Sequence, residues 1–146
     1  MKLHLPLLVG LLSACSNGVD NKKTTGKDTA IHQEVNAINW HETDSVEFIF
    51  YPDPKKQKEY KHLFIRDSIF LKTLAGNLES ATVPSKQCTH NSKFYLFKNG
   101  EVFKTVYVSD SCNYLAYAVN SRQKFVIMNT AMKALIIEQV TQLANK

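Results

Sequence analysis

The hydrophobic pattern changes character near residue 45. Beyond it, β-branched and aromatic runs alternate with turn residues. Ser45 to Tyr51 (SVEFIFY) stops at Pro52-Asp53-Pro54, and a lysine-rich tip leads into Tyr60 to Arg66 (YKHLFIR). Runs of this kind bounded by prolines predict a pair of strands. Asp67 then stands where a helix N-cap belongs, and Phe70, Leu71, Leu74, Ala75 and Leu78 recur at helical spacing, predicting a helix over Ser68 to Leu78. Further on, Tyr114 to Val119 and Lys124 to Met128 predict a hairpin around Asn120 to Gln123. Asn129 or Thr130 caps a last helix whose stripe is Met132, Leu135, Ile136, Val140 and Leu143.

The sharpest local signal is Asn99-Gly100, set between the apolar-rich runs of Ser92 to Val108 (SKFYLFKNGEVFKTVYV). Asn-Gly is the favoured pair for a two-residue type I′ turn, in which both residues need positive φ. Such a turn fixes register: Lys98 faces Glu101, Phe97 faces Val102, Leu96 faces Phe103, and opposed numbers sum to 199 along the ladder. Phe94, Leu96, Phe103 and Tyr107 then share one face, and Tyr95, Phe97, Val102, Val106 and Val108 the other. Two apolar faces are more than a sheet covered on one side needs, so either an amino-terminal helix covers the second face or that face meets a partner. Tyr95, Phe97, Val102 and Val106 are the candidate partner surface.

The amino terminus carries a different message. Met1-Lys2 is basic, Leu3 to Leu12 is apolar, and Leu12-Ser13-Ala14-Cys15 follows. The apolar run is about half the roughly twenty residues a membrane-spanning helix needs, and the order is that of a secretory signal. Leu12, Ser13, Ala14 and Cys15 resemble, position by position, the lipobox of bacterial lipoproteins. The resemblance implies cleavage before Cys15, a diacylglyceryl group on its thiol and acylation of the new amino terminus. Each buried methylene contributes about 0.8 kcal/mol, so two or three chains hold where one is marginal. The implied partner of this end is membrane lipid, on the extracytoplasmic side of a cell membrane or outer membrane. The division is a signal peptide over 1–14, a lipidated cysteine and tether over 15–44, and one domain over 45–146. Within the tether, Ser16 to Thr29 is polar, and Ile31, Val35 and Ile38 suit a short amphipathic helix ending near Trp40, whose indole is expected to dock this segment on the domain.

Composition adds exclusions. The chain has 146 residues, 18 Lys plus Arg against 13 Asp plus Glu, and 44% hydrophobic residues, which suits one globular domain. Removing residues 1–14 leaves 17 cations against 13 anions, or +4. No compact basic cluster interleaved with stacking aromatics points to nucleic acid. The three cysteines divide once Cys15 is lipidated. Cys88 and Cys112 remain, in an oxidising compartment, and the hairpin ladder sets Cys88 opposite Ser111, one residue from Cys112. A disulfide is expected, provided a bulge or frayed end near Ser109 to Ser111 corrects the parity. The alternatives are two free thiols or a metal site with His90, for which the ligand count is short.

No zinc-type His-x-x-x-His pair, Gly-x-Ser-x-Gly elbow or glycine-rich phosphate loop is present. No catalytic residue, metal or cofactor is therefore assigned. The expected fold is α+β: an antiparallel sheet of about six strands in the order ββαββββα, two main helices and one disulfide. Residues 45–146 also resemble small Bacteroidetes lipoproteins in which a Cys, an Asn-Gly-type hairpin and a second Cys recur, a likeness that brings no activity with it. The expected function is a membrane-anchored, non-catalytic domain that binds an envelope or secreted protein. The competing readings are an inhibitor or immunity protein against an extracytoplasmic hydrolase or toxin, and an envelope hydrolase using His90 and Asp110.

Overall fold

The computed structural model describes residues 38–85 and 87–145. The signal segment, Cys15, the tether and the expected helix through Ile31 and Val35 lie outside the described residues. Ile38 leads into a single 3-10 turn, Trp40–Glu42, capped by the Asn39 side chain. Trp40 is buried edge-on against Tyr117, with ring centroids 4.8 Å apart, so the indole docks this segment on the domain as expected.

The elements that follow are β1 (Ser45–Phe50), β2 (Lys61–Ile65), α1 (Ser68–Leu78), β3 (Ser92–Lys98), β4 (Glu101–Ser109), β5 (Tyr114–Val119), β6 (Arg122–Ile127) and α2 (Thr130–Ala144). They form an α+β fold whose six strands lie in the order β2-β1-β3-β4-β5-β6, every neighbouring pair antiparallel. Both helices are capped as the sequence indicates: Asp67 Oδ1 accepts from the Phe70 amide, and Asn129 Oδ1 from the Met132 amide. The β3–β4 turn places Asn99 and Gly100 at positive φ. The β5–β6 turn is tighter than expected. Asn120 and Ser121, both at positive φ, form a two-residue turn, and β6 begins at Arg122.

Both helices pack on one face of the sheet. Phe70, Leu74 and Leu78 of α1 and Met132, Ile136 and Leu143 of α2 meet Val46, Phe48, Phe94, Leu96, Val106, Val108, Leu115 and Val126. The register that builds this face corrects the sequence expectation. Lys98 pairs with Glu101 and Phe97 with Val102, but Leu96 then pairs with Lys104, leaving Phe103 as an extra residue. Below this bulge opposed numbers sum to 200. Every β4 side chain from Lys104 onward therefore changes faces relative to an unbroken ladder. Val106, expected on a partner surface, is 0% exposed in the core, and so is Val108. A lost ladder hydrogen bond costs about 1 kcal/mol, whereas burying two valines contributes about 3 kcal/mol or more, so the bulge is favoured.

The same shift aligns the cysteines. A sum of 200 sets Cys88 opposite Cys112, and the two are joined in a disulfide with a Cα–Cα distance of 6.2 Å. The correction expected near Ser109 to Ser111 is made several residues earlier, at Phe103.

Candidate functional site

The second face of the sheet divides into two halves. After α1 the chain rounds the β6 edge: Thr82 bridges to Val126, and the Val83 amide donates to the Phe125 carbonyl at 2.8 Å. It then lies over β5 and β6, where Val83, Cys88 and Cys112 pack on Tyr114, Ala116 and Phe125. The connection is held by the disulfide, by Ser109 Oγ donating to the Thr89 carbonyl at 2.9 Å, and by Asn91 Nδ2 donating to Asp110 Oδ2 at 2.6 Å. Among the described residues this segment covers that half; the expected amino-terminal helix lies outside them.

Over β2, β1, β3 and the near part of β4 no described segment lies on the sheet. Alternation directs Tyr60, His62 and Phe64 from the β2 side, Ile49 and Tyr51 from β1, Lys93, Tyr95 and Phe97 from β3, and Val102 and Tyr107 from β4 onto this face. Ile49 and Tyr51 are buried at its floor. Tyr95 and Phe97 are half-buried, while Phe64 at 58% and Tyr107 at 42% stand exposed. Tyr60, His62, Phe64 and Phe97 form a continuous line of rings, with successive centroids 6.0, 6.2 and 6.1 Å apart. Tyr95, Phe97 and Val102 are thus placed where the sequence put them; Phe64, Tyr60 and Tyr107 were missed as members. The signal for Phe64 was present: it pairs with Glu47 of β1, on the parity opposite to the core-facing Leu63 and Ile65.

Charge on this face is sparse. Glu47 Oε1 holds His62 Nδ1 at 2.8 Å. The Lys93 ammonium lies 4.7 Å from the Tyr95 ring centroid and 5.8 Å from that of Tyr51. Burial alone would lower its pKa, but hydrogen bonding to the Tyr95 and Tyr51 hydroxyls outweighs it, and the ammonium is held above its usual range. Among the described residues no carboxylate pairs with Lys93. The face therefore presents aromatic surface around one cation.

The groups considered for catalysis are engaged elsewhere. Ser109 donates to Thr89, and Asp110 accepts from Asn91. His90 packs tilted against Tyr107 and edge-on against Tyr114, and its Nε2 is buried without a partner. Burial lowers the His90 pKa below the ordinary histidine value. Among the described residues no hydrogen bond or ion pair links His90 to Asp110. A cleft of about 560 Å³ lies beside Asp110, Asn91 and Asp53, but Asp53 Oδ1 accepts from the Lys55 amide in a local turn and Asp110 Oδ2 from Asn91 across the connection, so both carboxylates are structurally engaged. Among the described residues no group of three or more His, Cys, Asp or Glu is gathered to hold a metal ion, and no helix is long and apolar enough to cross a membrane. Compared with known proteins, the chain matches no family model, no curated protein and no solved structure.

Proposed function

We propose that this chain is an extracytoplasmic lipoprotein, anchored through acylated Cys15, whose domain is a non-catalytic binding module for an envelope or secreted protein. The observation that carries the reading is the uncovered half-sheet: a line of rings from Tyr60 to Phe97, with Val102 and Tyr107 on the same face, on a sheet whose other face packs against both helices. Exposed aromatic surface with little charge is the composition of protein contact patches. The disulfide supports an oxidising compartment, where such bonds persist. Leu12-Ser13-Ala14-Cys15 supports the anchor.

Two measurements test this reading. The mass of the mature protein should lack residues 1–14 and carry lipid on Cys15; a free Cys15 thiol removes the anchor from the account. Chemical crosslinking in intact envelopes should give discrete adducts that Phe64→Ser with Tyr107→Ser reduces several-fold while thermal unfolding is unchanged. Adducts indifferent to both substitutions would place the binding surface elsewhere.

A further inference from the structure

The two edges of the sheet are finished differently. An edge strand leaves a row of backbone donors and acceptors open to pairing with another chain, and proteins blunt such edges with charge or cover them. At β6 both devices are present: Arg122, Gln123 and Lys124 are exposed, and Thr82 and Val83 occupy the Val126 and Phe125 positions. At β2 neither is complete. Lys61–Ile65 pairs with β1 on one side, and among the described residues nothing pairs on the other.

Beside this open edge runs a cleft of about 260 Å³ between β2 and α2. Leu63, Ile65, Phe70 and Leu135 give it apolar walls, and Glu138 and Gln139 form part of its lining. On the opposite face of the same strand stand His62 and the exposed Phe64. A chain laid along β2 would therefore send alternate side chains into the cleft and onto the aromatic line. The residues at and before this edge, 55–66, carry five Lys or Arg against one Glu, so the approach is strongly basic.

We propose that the partner binds by strand addition: an acidic, extended segment of another polypeptide, carrying at least one apolar side chain, pairs with β2 as a seventh strand. Unpaired backbone amides and carbonyls at strand spacing are complementary only to another extended backbone, the apolar cleft takes one of its side chains, and the charge selects an acidic sequence. This inference rests on the binding-module reading and names the partner class for it.

The test uses the full chain and a capped peptide of alternating glutamate and valine, about nine residues long. Saturable binding should shift the amide resonances of Lys61–Ile65 and weaken as salt is raised. The protein stays unaltered while the peptide is N-methylated along one backbone edge or the other. Methylation of the pairing edge should weaken binding at least about tenfold, since several backbone hydrogen bonds are lost together, and methylation of the other edge should leave it within about twofold. A lysine-valine peptide should bind at least about tenfold more weakly. Parent-like binding by both methylated peptides, or shifts confined to Tyr95, Phe97 and Tyr107, would overturn strand addition while leaving the face reading standing. Equal binding of the lysine peptide would overturn the acidic class, and no saturation by about millimolar peptide would overturn the proposal as a whole. Shifts of Lys61–Ile65 on raising protein concentration without peptide would assign the edge to a second copy instead.

Discussion

Asn77 illustrates how much one side chain holds in this fold. It sits fully buried in the last turn of α1, where Nδ2 donates to the Ile127 carbonyl at 2.9 Å and Oδ1 accepts from the Asn129 amide at 2.8 Å. One amide thereby ties the end of α1 to the end of β6 and to the residue that caps α2. Asn77→Leu keeps the branched shape but leaves two backbone groups unpaired in the interior, a cost of about 2–4 kcal/mol. Urea unfolding should show a loss of that order, and a change below about 0.5 kcal/mol would mean that water replaces both bonds. His90 gives a pH dependence at the same scale. Its pKa is lowered in the fold by burial, so the unfolded chain takes up a proton that the native state resists. Its contribution is fully present above the unfolded value near 6.5 and is lost as pH falls from there towards the folded value. His90→Phe keeps a ring against Tyr107 and Tyr114, and should flatten the fall in urea midpoint as pH drops below about 6.5 relative to the parent. An unchanged slope would place the dependence on other groups.

The bulge at Phe103 matters most among the elements, because one unpaired residue sets both the core face of β4 and the alignment of Cys88 with Cys112. Deleting Phe103 alone removes the extra residue but keeps Leu96 opposite Lys104, Val106 and Val108 on the core face and Cys88 opposite Cys112, so thiol titration without reductant should find the pair protected as in the parent. Deleting Phe103 and Lys104 together shifts the ladder by one, moves Val106 and Val108 off the core face and sets Cys88 opposite an asparagine, so Cys88 and Cys112 should titrate as free or mispaired thiols. A fully protected pair in the double-deletion variant would show that the alignment comes from the loop instead. Replacing both cysteines by serine should cost about 3 kcal/mol on the chain-entropy account, for a bond spanning 24 residues. Much of the element level was legible in advance. Asp67, Asn129 and Asn99-Gly100 announced their caps and turn, because each acts through backbone within a few residues. The bulge was not, because a ladder extended from the turn counts residues, whereas the fold weighs which face each valine reaches. Its trace was nevertheless in the sequence: Phe94 and Leu96 on one strand and Val106 and Val108 on the other fall on one face only if a residue is skipped. Asn77 left no such trace, since its partners are about fifty residues away and helical spacing explains its position without them.

At the scale of the molecule, the path of the connection between α1 and β3 decides what is exposed. Because residues 79–85 and 87–91 wrap the β6 edge and are stapled over β5 and β6, the aromatic surface left uncovered among the described residues is on the β2 side. The sequence indicated a two-faced hairpin but not which half of the second face stays open, since that depends on a connection with no periodic pattern of its own. Exposed apolar side chains alone do not single out the half-sheet: Ile69 on α1 and Ile137 on α2 are 68% and 65% exposed on the helical side. They stand singly, whereas Phe64, Phe97, Val102 and Tyr107 share one face, and isolated exposed apolar residues are ordinary. This contrast allows a direct measurement. A photo-crosslinking amino acid is placed in turn at Phe64, Val102, Tyr107, Ile69 and Ile137 of the full chain, and intact envelopes are irradiated. The account predicts discrete adducts from positions 64, 102 and 107 and none from 69 and 137. Adducts from the helical positions with silence from the sheet would contradict it.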